Sequence, residues 1–89
     1  MADPVFEDIN EGAWKKIATN VTSGMVRKVD TSPDKYLQTY RDTGGAAPTL
    51  LTEGFPVFVE SDSVPISSNI GIDVYLWAIG SDGRVRVDL

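Results

Sequence analysis

The sequence contains no cysteine and no histidine. The first absence removes disulfides, thiolate metal sites and thiol nucleophiles. The second removes the commonest metal ligand and the commonest general base near neutral pH. Nucleophilic catalysis through a Ser–His or Cys–His pair is therefore excluded. Basic residues are few, with eight Lys and Arg against thirteen Asp and Glu, for a net charge of −5. They form no stripe: Lys15-Lys16 and Arg27-Lys28 are the only basic doublets, and in a strand each doublet points to opposite faces. Nucleic acid, which binds by releasing counterions to clustered cations, is not expected as a partner. No apolar run approaches the roughly 18 residues that cross a bilayer, so no membrane partner is expected. The acidic start Met1-Ala2-Asp3-Pro4 lacks the basic and apolar regions of a signal peptide. Synthesis in a cytoplasm follows, with later exit in an assembled particle left open.

What is present is one small domain. Eighty-nine residues allow a single core. A chain this short buries only about 60–65% of the surface its unfolded form exposes, so oligomerisation or docking on a larger body adds stability. Asp3, Glu7, Asp8 and Glu11 place four acids and no base in residues 1–12, leaving nine acids against eight bases in residues 13–89. Residues 1–12 read as an acidic N-terminal arm that orders upon a partner, with at most a short amphipathic turn over residues 4–9. Residues 13–89 read as a single β domain.

The β assignment rests on period-two runs closed by turn residues. Residues 14–21 and 25–29 form the first two runs, and Thr22-Ser23-Gly24 between them suggests a hairpin. In residues 35–41, Tyr36, Gln38 and Tyr40 share one face, and Leu37, Thr39 and Arg41 the other. Asp42-Thr43-Gly44-Gly45-Ala46-Ala47-Pro48 is a loop of small residues, and residues 49–52 a short extended piece. Pro56 places the run 55–59 at a sheet edge or strand start, and Ser61-Asp62-Ser63 with Pro65 marks a further loop. The clearest pattern lies near the C-terminus. Ile70, Ile72, Val74, Leu76 and Ala78 share a face, opposite Asp73, Tyr75, Trp77 and Ile79. Gly80-Ser81-Asp82-Gly83 then turns the chain into residues 84–89, which predicts an antiparallel hairpin. Six or seven short strands with little helix fit an all-β fold: a small antiparallel β-sandwich or partly open barrel with an extended N-terminal arm.

Few side chains suggest chemistry. Asp73 stands mid-strand beside apolar residues, where burial raises a carboxyl pKa and makes a candidate acid. The plainer alternative is a solvated carboxylate paired across the hairpin with Arg84 or Arg86. Glu60 and Asp62 have no spacing that singles them out as a catalytic pair. Trp14, Tyr36, Tyr40, Tyr75 and Trp77 are many aromatics for so short a chain. They fill a core, anchor a protein interface or stack on a sugar. The run 70–79 is apolar on both faces apart from Asp73, so a second layer must cover Tyr75, Trp77 and Ile79. The candidate interface is therefore Trp14, Tyr75, Trp77 and the Gly44-Gly45 loop. No metal or cofactor site is expected, and the chain is not expected to be an enzyme.

The strings Trp14…Asn20-Val21-Thr22-Ser23-Gly24, Tyr36-Leu37-Gln38-Thr39-Tyr40-Arg41-Asp42-Thr43-Gly44-Gly45-Ala46-Ala47-Pro48 and Asp73-Val74-Tyr75 with Val85-Arg86-Val87-Asp88-Leu89 resemble those of small virion structural proteins of tailed bacteriophages. The resemblance covers most of the chain from Trp14 on, and none of these strings is a motif with known chemistry. It implies a capsid-decorating or cement protein, or a head–tail or tail part, residing in a virion assembled in the host cytoplasm. The partners implied are other virion proteins and further copies of the chain, and no catalytic residue transfers. The alternative from another class is a carbohydrate- or receptor-binding β module that takes a glycan on surface aromatics.

Overall fold

A computed structural model describes residues 4–89 of the chain. Six antiparallel strands form one open sheet: β1 (Val5–Ile9), β2 (Lys15–Lys28), β3 (Lys35–Asp42), β4 (Phe55–Val57), β5 (Ser63–Ile79) and β6 (Gly83–Asp88), in the order β1-β6-β2-β5-β3-β4. A single 3-10 turn, Leu51–Glu53, precedes β4. The all-β, sandwich-like fold expected from the sequence is the one observed.

Two long strands make two layers from one sheet. The second half of β2 pairs with β6 through Met25↔Asp88 to Lys28↔Val85, and with the first half of β5 through Ser23↔Ser67 to Arg27↔Ser63. The first half of β2 pairs instead with the second half of β5, which carries β3 on its other side. Both strands therefore cross from layer to layer, and they bend at irregularities in register. Between Val21↔Ile72 and Ser23↔Ser67, two steps of β2 are matched by five of β5. Asn20, in the left-handed region at φ 53°, lies at the bend in β2, and extra residues of this kind coil a strand sharply. The fold folds over there, enclosing Ile9, Ile17, Val26, Ile66, Ile72, Val74, Leu76, Val85 and Val87 between the layers.

Five expectations are corrected. Thr22-Ser23-Gly24 is no hairpin turn, since residues 14–21 and 25–29 belong largely to one continuous bulged strand, β2. Residues 70–79 and 84–89 do not pair with each other: β6 lies between β1 and β2. The physical reason is occupancy, because β3 and the first half of β2 already fill both edges of this half of β5. The turn Gly80-Ser81-Asp82 instead carries the chain to the other layer. The N-terminal arm is, over Val5–Ile9, strand β1, with Val5↔Val87 to Ile9↔Gly83 against β6. Ile9 is fully buried in the shared core, so the stretch 4–12 is continuous with the domain; Met1, Ala2 and Asp3 lie outside the described residues. Pro65 falls within β5 rather than in a loop, on a half of the strand whose neighbour is β2 alone among the described strands, a setting that tolerates a missing N–H. Residues 49–52 contribute to the 3-10 turn rather than to an extended piece.

Candidate interaction face and its cover

The alternation of β5 and β3 sends Tyr75 and Trp77 to the face away from the core. The register Leu37↔Trp77 and Thr39↔Tyr75 puts Leu37 and Thr39 beside them. Trp14, just before β2, meets Trp77 edge to face, with ring centroids 5.4 Å apart and planes at 81°. Such a contact adds about 0.5–1.5 kcal/mol beyond the area it buries. Tyr75, Leu37 and Thr39 are buried although they lie outside the main core.

Residues 43–54 cover this face. The Trp14 indole Nε1 donates to Leu50 O at 3.2 Å. Gly54 lies so close above Trp14 that a Cβ there would stand 2.5 Å from ring atom Cη2 and 3.2 Å from Leu37 Cβ, which explains a residue without a side chain. Pro48 is the buried anchor of the segment. Glu53 fastens it: one carboxylate oxygen accepts the Thr49 and Leu50 N–H groups, each at 2.7 Å, and the other pairs with the Arg41 guanidinium. The Leu50 N–H, then the Thr49 N–H, hold the Glu53 pKa below its ordinary value against the cost of desolvation, with Arg41 adding to them. Gly44, at φ +85°, and Gly45, whose N–H donates to Asp42 O at 2.8 Å, begin the cover and are exposed.

The structure thus gathers Trp14, Tyr75, Trp77 and the Gly44-Gly45 loop on one side of the molecule. It separates their burial, however: Tyr75 is 4% exposed, while Gly44 and Gly45 are exposed. Leu50 and Leu51 on the 3-10 turn are the exposed apolar side chains of the cover, at 62% and 44%. Sequence reasoning missed them together with the Arg41–Glu53 latch. The available signal was an acid three residues after Leu50, able to reach back to the turn's free N–H groups.

Asp73 is likewise corrected. It is neither solvated nor paired with Arg84 or Arg86, but 2% exposed at the bend between layers. It accepts the Asn20 N–H at 3.0 Å and the Thr43 hydroxyl at 3.1 Å, with Lys16 Nζ 3.7 Å away. Its pKa is lowered rather than raised. The Asn20 N–H is the largest cause and prevails over desolvation, helped by Thr43 and Lys16. Through these contacts the carboxylate fastens the β2 bend to β5 and to Thr43.

The opposite feature is an opening. β4 has one strand neighbour, β3, and the first half of β5 has β2 alone among the described strands. Between these two edges lies an open cleft of about 460 Å³ lined by Phe55, Val57, Phe58, Val59 and Val64 among others. Phe58 takes a left-handed φ of 60°, unusual for an aromatic residue, and sets its ring edge-on to Tyr36 at 5.4 Å. Val59 is 76% exposed beside it. Tyr40 and Phe55, both partly exposed, pack ring to ring at 5.7 Å. The Tyr40 hydroxyl accepts from Gln38 Nε2 at 2.8 Å, whereas the buried Gln38 Oε1 has no hydrogen-bond partner among the described residues.

A polar cleft of about 620 Å³ lies near the β1–β6 end, where Asp8, Asp30 and Asp82 converge with Arg84. Each carboxylate there is already engaged, by Arg84, by the Ser32 N–H and by the Glu11 N–H respectively, all at 2.8 Å. No protein-family model, curated protein or solved structure matches the chain.

Proposed function

We propose that the chain is a structural component of a bacteriophage virion, working by protein–protein assembly as a capsid-decorating, head–tail or tail part. The observation that carries the assembly reading is the open sheet with apolar residues at its margins. Among the described strands β1 and β4 each have one edge without a neighbour, and Val5, Phe6, Phe55 and Val59 stand exposed on or beside them. Edges of this kind are templates for a further strand, and repetition of one contact around a symmetry axis builds shells and tubes. The virion setting is supported by the likeness of the strings from Trp14 onward. A role without catalysis accords with Asp73, the buried carboxylate, being committed to backbone and hydroxyl donors. A glycan platform gains less support, because each same-face aromatic pair has one buried member, Tyr36 in one and Tyr75 in the other.

The test is fractionation of the native source, with light scattering on the purified chain. The chain is expected to travel with large particles and to self-associate or bind a particle in vitro. Val59→Lys, at an exposed position, is expected to abolish that association while leaving the fold intact. A monomer that never accompanies a particle would overturn the reading.

A further inference from the structure

We infer that residues 43–54 are a hinged cover that opens as a unit while the sheet stays folded, with Glu53 as its latch, so that the Trp14–Tyr75–Trp77 face has a covered and an uncovered state. The first argument is how little of the cover is rooted. Its own hydrogen bonds are local: Gly45 N–H to Asp42 O, Glu53 N–H to Leu50 O and Gly54 N–H to Leu51 O. Its ties to the rest of the fold lie at its two ends. At one is Thr43, through its N–H to Gly71 O and its hydroxyl to Asp73, with the Gly44 N–H also acting on Asp73. At the other are the Trp14 indole, the Arg41–Glu53 pair and Gly54 packed on Trp14 and Leu37. Thr43 is the hinge end, next to Gly44 and Gly45. Almost every other residue of the segment is exposed, with Pro48 alone buried. A segment with few buried apolar contacts and solvent-facing hydrogen bonds lies at the low end of local stability.

The second argument is what remains when the cover lifts. Tyr75 and Trp77 belong to the half of β5 held on both sides by β2 and β3, so their strand keeps its ladders. Gly54 passes directly into β4, whose pairing with β3 through Leu37↔Pro56 and Gln38↔Phe55 fixes the far hinge. Lifting the cover frees the Trp14 indole N–H and exposes the Trp14 ring where Gly54 packs on it. Opening is a property of the single chain, so the inference stands or falls apart from the assembly reading.

Hydrogen exchange followed by NMR on the full chain tests it. In the wild type, the Trp14 indole N–H and the Thr49 and Leu50 amides are expected to exchange at least tenfold faster than the Val74 and Leu76 amides. Glu53→Ala is expected to speed the Trp14 indole a further several-fold and to raise quenching of tryptophan fluorescence by acrylamide, with Val74 and Leu76 unchanged. The indole is the decisive probe, because loss of a mere cap would free Thr49 and Leu50 without touching it. Equal protection of the Trp14 indole and the Val74 amide in the wild type would show that the cover opens only with global unfolding and would overturn the inference. That comparison holds even if Glu53→Ala fails to fold.

Discussion

Tyr36 joins the two layers at one end through a single oxygen. Its hydroxyl donates to Asp30 O at 2.8 Å and accepts the Arg84 N–H at 3.2 Å. Gly83 makes the room, since a Cβ there would overlap the Tyr36 hydroxyl. The side chain is 1% exposed, and burial pushes its pKa above the ordinary value. Tyr36→Phe should therefore cost about 1 kcal/mol in urea unfolding, because it leaves the Arg84 N–H and Asp30 O without their phenolic partner in a part-buried site. At this scale the sequence was partly legible. The alternation of residues 35–41 put Tyr36 and Gln38 on one face, as observed. Nothing local could tell that Asp73 would meet Asn20 and Thr43, 53 and 30 residues away, or that Tyr75 would be buried. Those destinations depend on how distant segments return, and side-chain type carries no record of that.

Among the elements, β2 was the hardest to read and β3 the easiest. The residues that make turns also make bulges, since both need left-handed or crowded backbone. Thr22-Ser23-Gly24 accordingly looks like a hairpin turn while the strand runs on through it. Similarly, Gly80-Ser81-Asp82-Gly83 connects strands in either a hairpin or a crossover, and periodicity cannot choose between them. It was the occupancy of both edges of β5 that sent β6 elsewhere. Pro56 was a sound guide, and β4 is an edge strand. The bend in β2 gives a measurable prediction. A β-branched residue in the left-handed region is strained by about 1–2 kcal/mol. Asn20→Val should lower stability by about that amount, and Asn20→Gly by less, as read by chemical denaturation.

For the whole molecule, acid is the condition that should weaken it most. The pKa values of Asp8, Asp30, Glu53 and Asp73 are all lowered by the fold. A depressed folded pKa means that the unfolded chain takes up protons first, so their stabilisation is complete above the ordinary carboxylate values and disappears as pH falls through the folded ones. Stability should be flat from about pH 5 to about pH 9 and decline steadily below about pH 4. Asp8 and Asp30 are largely screened by solvent, whereas Asp73 is buried. Asp73→Asn should consequently make the acid limb shallower, while lowering stability at neutral pH, in thermal melts across that range. The pairing of β1 with β6 acts on a different axis, that of time. Asp8 and Arg84, which meet across this pair, are 76 residues apart in the chain. On a translating ribosome, β1 emerges before β6, the strand it joins, and must wait while the four strands between them are made. Closure of this pair therefore depends on the whole intervening segment, a contact of long sequence separation that forms slowly.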